Sequence, residues 1–214
     1  YYFGGPVANA EVEAGVYQAP FVRYWYPWRV YDWYWPDWFQ PQPQSVMSRE
    51  TLRTDANGRA VLRIDTPRDG NDMSYRIEAR VVDASRREVR GEGTVRVMRQ
   101  RYSVMASPEH YVHRPGERVD VKFRAVDAND EPVRTTGTVV VTKRRWKERA
   151  YVEETVTTTK LDTDADGEVT MTFMPKTSGY YAVKWTSADG DGKRARDIVS
   201  AETTIWVANR ETTD

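Results

Sequence analysis

Every second side chain is apolar in the stretch Arg118-Val119-Asp120-Val121-Lys122-Phe123-Arg124-Ala125-Val126. In an extended chain, alternate side chains point to opposite faces, so this stretch has one apolar and one charged face. The same period recurs at Val169-Thr170-Met171-Thr172-Phe173-Met174, and no comparable helical stripe accompanies it. Such strands, separated by short Gly, Asp and Asn turns, predict antiparallel sheets packed as β-sandwiches with almost no helix.

Composition excludes several classes of function. The chain has 214 residues, and its 32 basic and 32 acidic side chains give zero formal net charge, so the field of the whole chain gives no electrostatic reason to expect nucleic acid or an anionic membrane surface as partner. The absence of Cys excludes disulfides, thiolate nucleophiles and zinc–thiolate sites. No apolar run approaches the ~18 residues of a membrane span, so we expect no direct membrane insertion by this segment.

An internal repeat organises the chain. The turn sequence Thr54-Asp55-Ala56-Asn57-Gly58 recurs about 109 residues later as Thr163-Asp164-Ala165-Asp166-Gly167, each copy being followed by an alternating stretch that predicts a strand. Two further pairs of segments match between the copies. Tyr75–Asp83 matches Tyr181–Asp189 in length and alternation, and Thr94–Val97 matches Thr204–Val207. Two copies of one sandwich are therefore predicted in tandem, with the join near Arg99 to Arg101.

The repeat predicts two domains, residues 1–99 and residues 100–214. The second has seven predicted strands, at about 102–106, 117–126, 134–143, 150–161, 168–174, 180–188 and 202–208. Pro6-Val7 aligns with Pro132-Val133, so the counterparts of the first two strands are expected upstream of Tyr1. A start at Tyr1 and not Met likewise predicts a piece of a larger protein. We expect the open sheet edges of a shortened sandwich to pair with a neighbouring chain.

Two motifs could hold a metal. Asp162-Thr163-Asp164-Ala165-Asp166-Gly167 begins like an EF-hand calcium loop, but position twelve is Phe173, where that loop needs Glu. The surrounding strand pattern favours a hairpin turn, as it does for Asp55–Gly58 and Asp189-Gly190-Asp191-Gly192. The two His residues, His110 and His113, lack a helix and further ligands, so a structural zinc is not expected. We predict no cofactor.

Catalytic and nucleic-acid motifs are equally weak. Glu153 and Glu154 are adjacent on a predicted strand and point to opposite faces, so they cannot act as an acid–base pair on one substrate. No Gly-x-Ser-x-Gly elbow is present, and we expect no enzyme. The basic run Lys143-Arg144-Arg145-Trp146-Lys147 could contact phosphates, but its place between two strands favours a solvated hairpin end.

An aromatic-rich insertion at residues 21–44 has no parallel in the second copy. It contains five of the eight Trp residues, namely Trp25, Trp28, Trp33, Trp35 and Trp38. Side chains this large are either buried against another surface or form an exposed stacking platform. We interpret these five as contacts to a neighbouring domain or, alternatively, to a sugar or protein ligand.

The order of several motifs resembles the bacterial alpha-2-macroglobulin family. They are Tyr2-Phe3-Gly4-Gly5-Pro6-Val7-Ala8-Asn9-Ala10-Glu11-Val12, the aromatic insertion, Thr54–Gly58, Tyr75–Arg87, Tyr111–Val119 and Asn129–Val133. The resemblance implies two consecutive macroglobulin-like, Ig-like β-sandwiches, the third and fourth of the family's series. It places them in a large protease-trapping protein of the bacterial envelope.

In that family a protease cuts a bait region, and a thioester between a Cys and a Gln captures it. This chain has no Cys and no segment that matches a bait region, so the resemblance implies a non-catalytic scaffold. Its expected partners are the neighbouring domains of the parent chain and, through the parent, host or competitor proteases. The expected location is the periplasm, the cell envelope or the exterior, with a lipoprotein anchor on the parent as one option. A cell-surface adhesion or carbohydrate-binding module is the alternative.

Overall fold

The described part of the chain consists entirely of strands, turns and irregular segments. The computed structural model describes residues 6–21, 23, 25, 45–66, 71–82, 86–147, 150–188 and 198–208. These residues form twelve strands and contain no helix that could cross a membrane. The predicted all-β class, with antiparallel sheets and Ig-like sandwich packing, is therefore confirmed. The chain divides into a first unit of Tyr1–Val22 and Tyr34–Arg99 and a second of Arg23–Trp33 and Gln100–Asp214.

The first unit contains one antiparallel sheet among its described residues. Its strands are β1 (Glu11–Pro20), β2 (Ser45–Arg53), β3 (Met73–Val82) and β4 (Glu88–Val97), in the order β2-β1-β3-β4. Val12, Ala14 and Val16 are buried at alternate positions of β1. This alternation gives the sheet one apolar face and leaves the opposite face to charged side chains.

The second unit contains two sheets. Its strands are β5 (Ser103–Pro108), β6 (Val112–His113), β7 (Val119–Val126), β8 (Thr136–Lys147), β9 (Ala150–Asp162), β10 (Glu168–Phe173), β11 (Gly179–Ala188) and β12 (Ile198–Val207). The sheet orders are β10-β7-β5 and β6-β12-β11-β8-β9. All seven predicted strands are present, and β6 is an additional short strand that pairs in parallel with β12.

The core of the second unit lies between its two sheets. The alternating stretch that became β7 contributes four fully buried side chains, Val119, Val121, Phe123 and Ala125. The Phe123 ring lies 5.3 Å from that of Trp185 on β11, and Phe173 on β10 lies 6.2 Å from Tyr181. Each such side chain contributes about 1.5–3 kcal/mol through burial, so these contacts hold the two sheets together.

The polar atoms around Trp185 are paired. The Trp185 Nε1 donates a hydrogen bond to Ser187 Oγ at 3.0 Å. The Tyr102 hydroxyl lies 2.9 Å from the same Ser187 oxygen and 3.0 Å from Thr135 Oγ1. A buried polar group without a partner would cost about 1–3 kcal/mol, so this network fixes the orientation of the indole without that loss.

The turn at Thr163–Gly167 is held by its own Asp. Asp164 Oδ1 accepts hydrogen bonds from the backbone nitrogens of Asp166 at 2.9 Å and Glu168 at 2.8 Å. Gly167 adopts the left-handed conformation, with φ of 72°. The turn joins β9 of the five-stranded sheet to β10 of the three-stranded sheet, so the predicted hairpin is wrong. The Asp and Gly supply the expected turn geometry, but they direct the chain from one sheet to the other.

The first unit contains the same turn, with the same two hydrogen bonds to its Asp and the same glycine conformation. Asp55 Oδ1 accepts from the nitrogens of Asn57 at 2.8 Å and Arg59 at 2.9 Å, and Gly58 has the same φ of 72°. The Thr54 hydroxyl donates to the Val7 carbonyl at 2.7 Å. In the second unit Thr163 donates to the carbonyl of Val133 at 3.0 Å, so the repeat seen in the sequence is also a structural repeat.

The two copies differ directly after this turn. Residues 168–173 form β10, which pairs with β7, whereas residues 59–66 form no strand. The strand predicted after Asp55–Gly58 is therefore wrong. A strand exists only when its backbone groups have a ladder partner, and the described residues of the first unit contain no counterpart of β7. That this counterpart lies upstream of Tyr1 stays a prediction.

Candidate functional site

An exposed aromatic pair lies on the outer face of the five-stranded sheet. Tyr180 on β11 and Trp206 on β12 face each other across the strands, with ring centroids 4.3 Å apart and planes tilted by 50°. Tyr180 is 54% exposed and Trp206 is 37% exposed. Aromatic side chains bury large areas when they find a partner, so an exposed pair is a candidate contact surface.

The pair belongs to a row that crosses the whole sheet. The strand registers place five residues side by side in the order Val112, Trp206, Tyr180, Arg144 and Glu153, which we call the aromatic row. Val112, at one end, is 62% exposed. The row is thus apolar at one end and charged at the other, which suits a protein surface or a sugar ring more than a catalytic step.

The charged end of the row is fixed by ion pairs. Arg144 Nε lies 2.8 Å from Glu153 Oε1, and its Nη2 lies 2.6 Å from Glu202 Oε1. The hydrogen bond to Glu153, followed by the bond to Glu202, raises the pKa of Arg144 above its ordinary value despite partial burial. The two carboxylates therefore hold the guanidinium in one position at the charged end of the row.

The first unit has a concave charged surface on the face of its sheet opposite Val12 and Val16. It is a cavity of about 800 Å³ lined by residues of β1, β2, β3 and β4. Arg80 lies 2.9 Å from both Glu88 and Glu13, and the hydrogen bond with Glu88, followed by that with Glu13, raises the Arg80 pKa. The bonds from Arg90 and then Arg80 lower the pKa of Glu88. Opposite charges thus pair across the strands and stabilise the sheet surface.

The Asp120 carboxylate is hydrogen-bonded within the three-stranded sheet of the second unit. Burial raises the pKa of Asp120, but the hydrogen bond from Thr172 at 2.6 Å and that from Arg118 at 3.0 Å outweigh it, so the pKa lies below its ordinary value. Asp120 on β7 and Thr172 on β10 are opposite residues in the strand register. The carboxylate therefore stabilises the pairing of β7 with β10, which is a structural role.

The two motifs that were weighed as metal sites take structural positions. The Asp164 carboxylate is engaged by the amides of its own turn. His113 is buried, and its Nε2 lies 2.8 Å from the carbonyl oxygen of His110, so this nitrogen carries the proton and donates. Across the residues that the structure describes, no group of three or more His, Asp or Glu could hold a metal ion. The turn at Asp189–Gly192 lies outside the described residues.

The basic run forms the last residues of β8, at the end of the β8–β9 hairpin. Residues 143–147 belong to β8, which continues to Lys147 and pairs with β9 as far as Ala150. Lys143 is buried and donates to Thr177 Oγ1 at 2.6 Å, and Arg145 pairs with Glu154 at 3.2 Å. The predicted solvated end fits Arg145 and Trp146, which are exposed, and is wrong for Lys143, which is buried. Glu154 and Glu153 point to opposite faces, as predicted.

Most of the aromatic insertion lies outside the described residues. Of its predicted contact residues, Trp25 is half-buried, while Trp28, Trp33, Trp35 and Trp38 are not described. Arg23, two residues before Trp25, donates to the carbonyl of Asp127 and lies 3.1 Å from the Asp130 carboxylate within the second unit. The role of the five Trp residues stays a prediction.

Sequence reasoning missed the aromatic row, although a signal for it was present. Trp206 stands where the repeat has Arg96 in the first copy, at a position that alternation assigns to the outer face. A large aromatic residue at an outward strand position departs from the apolar-in, polar-out pattern. The proximity of Tyr180 could not be foreseen, because it depends on the register between β11 and β12.

The chain matches no protein-family model and no curated protein sequence. Among solved structures, it is similar to Escherichia coli alpha-2-macroglobulin in its native conformation, with 11% identity and a TM-score of 0.45 over 100% of this chain. For the trypsin-activated form the identity is 12% and the TM-score 0.47 over 99% of this chain. The chain spans 15% of each of those chains. The D0-D1 domain of intimin is 13% identical, with a TM-score of 0.35 over 96% of this chain and 85% of that one. Similarities at this level identify neither a family nor a function.

Proposed function

We propose that this chain is a non-catalytic structural segment of an alpha-2-macroglobulin-like protease inhibitor of the bacterial envelope. The observation that carries the proposal is the duplicated turn, in which Asp55 and Asp164 make the same two backbone hydrogen bonds. Two copies of one module in tandem are the architecture of a scaffold built by repetition. The motif order quoted above supports the macroglobulin-like assignment.

The chemistry of the described residues fits this scaffold role. The conspicuous charged groups, Arg80, Asp120 and Arg144, are each hydrogen-bonded to neighbouring strands. The buried polar atoms around Trp185 are paired inside the core. A sandwich held in this way transmits force as a rigid body, which is what a trap needs from the walls that surround its protease.

The proposed partners follow from this role. They are the neighbouring domains of the parent chain and, through the parent, host or competitor proteases, in the periplasm or elsewhere in the envelope. The outer-face aromatic row around Trp206 has exposed aromatic side chains of the kind that suit contact with a neighbouring domain.

A trapping assay on the full-length parent tests the proposal. After incubation of the parent with trypsin, we expect cleavage of a small peptide substrate to persist and cleavage of a large protein substrate to be lost. The 214-residue chain alone is the control, and we expect it to leave both activities unchanged. Survival of both activities with the parent, or stoichiometric inhibition by the chain alone, would contradict the proposal.

A carbohydrate-binding or adhesion module is the second candidate, and the exposed Tyr180–Trp206 pair favours it. Rings stacked at a surface can receive the apolar face of a sugar. In this case a polysaccharide titration shifts the Trp fluorescence of the chain, and Trp206→Ala abolishes the shift. Trp146→Ala is the matched control, because Trp146 is also exposed but lies outside the aromatic row. Equal shifts in the two variants would count against binding at this pair.

A further inference from the structure

We propose that the outer face of the five-stranded sheet binds a short stretch of a neutral polysaccharide, which lies across the strands along the aromatic row. This function goes beyond the scaffold role and rests on the carbohydrate-binding candidate, for which it names the class of sugar and the direction of the sugar chain. The residues that carry it belong to β6, β8, β9, β11 and β12 of the second unit, and all of them are described.

The apolar end of the row supplies a surface for sugar rings. Val112, Trp206 and Tyr180 are 62%, 37% and 54% exposed, and they are neighbours on three adjacent strands. One face of a pyranose ring carries mainly C–H groups, which pack favourably on aromatic carbon. The pairing of these strands does not depend on the two rings, because Ser74 and Arg96 occupy the same paired positions in the first unit.

The charged end of the row supplies hydrogen-bonding groups in fixed positions. Arg144 on β8 is bonded to Glu153 on β9 at 2.8 Å and to Glu202 on β12 at 2.6 Å. The second ion pair crosses β11, where Ala182 is only 3% exposed. A sugar hydroxyl both donates and accepts a hydrogen bond, so a guanidinium beside carboxylates offers it both partners.

Hydroxyl side chains border the row. The strand registers place Thr204 on β12, Ala182 on β11, Thr142 on β8 and Thr155 on β9 side by side in the neighbouring row of the same face. Thr204 and Thr155 are exposed, and Thr142 is half-buried. Threonine hydroxyls donate and accept hydrogen bonds, as sugar hydroxyls do. The aromatic row therefore has polar partners for a sugar ring on its flank as well as at its end.

The charges on this face favour a neutral sugar. Arg144 and Lys184 are balanced by Glu153 and Glu202, since Arg144 bonds both carboxylates and Lys184 lies opposite Glu202 in the strand register. A charged sugar would lose part of its hydration at this surface without gaining an uncompensated partner. A neutral sugar loses only hydrogen bonds to water, which the polar end of the row replaces.

A protein domain is the competing occupant of the row. The core of a protein interface is largely apolar and depleted of charged residues. Here three apolar side chains are followed within one row by Arg144 and Glu153, and the neighbouring row contains three threonines. Ring surface followed by hydrogen-bonding groups over about 19 Å, or four strand spacings, suits an oligosaccharide that lies across the strands more closely.

Calorimetric titration of the complete 214-residue chain with defined tetrasaccharides tests the proposal. Cellotetraose and chitotetraose are the neutral probes, and deacetylated chitotetraose and tetragalacturonate are the cationic and acidic ones. We expect each neutral probe to bind at least about tenfold more tightly than either charged probe, because only the charged probes lose hydration without compensation. Cellobiose is expected to bind more weakly than cellotetraose, because it covers only part of the row.

Three variants locate the site. Tyr180→Ser/Trp206→Arg introduces the residues of the first unit, so we expect the sheet to remain folded by far-UV circular dichroism and neutral-sugar binding to be lost. Thr204→Val is expected to lower the affinity about three- to tenfold through the loss of one hydrogen bond. Thr138→Val is its matched control, with unchanged affinity expected, since Thr138 is also exposed on β8 but lies six residues from Arg144.

Equal affinity for neutral and charged probes, binding that persists in the Tyr180→Ser/Trp206→Arg variant, or equal affinities of Thr204→Val and Thr138→Val would overturn the proposal. If only the charged tetrasaccharides bind, the carbohydrate-binding candidate survives and the neutral-sugar assignment fails. If no tetrasaccharide binds, both fail, and contact with a neighbouring domain is left as the role of the row.

Discussion

Gly137→Ala is expected to destabilise the second unit by about 3 kcal/mol or more, at the upper end of the cost of overpacking a core. A Cβ at this position on β8 would lie 2.1 Å from Cε2 and 2.2 Å from Cζ2 of Trp185. The indole cannot move aside easily, because it is fully buried, packs on Phe123 and donates its Nε1 proton to Ser187. The added methyl group must therefore displace the largest side chain of the core.

Urea denaturation followed by Trp fluorescence measures this effect. The matched control is Gly91→Ala on β4, where an added Cβ meets nothing within 4 Å. That variant is expected to be neutral or to gain about 0.5–1 kcal/mol, because alanine loses less backbone freedom on folding than glycine. A Gly137→Ala variant as stable as the wild type would contradict the packing described around Trp185.

Gly167→Ala is expected to cost about 2–4 kcal/mol, because it combines backbone strain with a steric clash. The φ of 72° is unfavourable for alanine, and its Cβ would lie 2.4 Å from the carbonyl oxygen of Ala125. To relieve that contact β7 must shift, which weakens the hydrogen bond from Val133 to the same oxygen.

Substitutions at two further glycines separate the backbone strain from the steric clash, using the same unfolding measurement. Gly116 has a φ of 83° with open space around it, so Gly116→Ala should show the backbone strain alone, about 1–2 kcal/mol. Gly58 has the φ of Gly167 and closely placed neighbours, but no counterpart of the Ala125 oxygen is described there. We expect Gly58→Ala to fall between the other two. Equal losses at Gly116 and Gly167 would argue against the close approach of β7.

Local sequence predicted the elements whose structure depends on local chemistry. Alternation over residues 118–126 predicted β7 and its buried face, because side chains of a strand must alternate. The Asp and Gly of the repeated turn predicted its geometry, because an Asx hydrogen bond and a positive φ are properties of those residues. These inferences needed no knowledge of the rest of the fold.

Features that depend on a distant partner were missed. Residues 59–64 alternate as well as β10 does, yet in the part of the chain that the structure describes only β10 has a neighbouring strand. Arg144 and Arg145 of the basic run pair with Glu153 and Glu154 on the opposite strand, and these partners depend on the pairing of β8 with β9. The contact of Gly137 with Trp185 and the pairing of Tyr180 with Trp206 depend on strand register, which composition does not encode.

The central claim is that the chain carries two copies of one module, of which the second has a paired strand after its turn, at residues 168–173, while residues 59–64 of the first pair with no described strand. Amide hydrogen exchange of the whole chain tests this most directly, because a ladder hydrogen bond slows exchange and an open backbone does not. We predict that residues 168–173 exchange slowly and that residues 59–64 exchange at close to the rate of an unstructured peptide. Equal protection of the two segments would contradict the account, because it would mean that the first copy already has its partner strand.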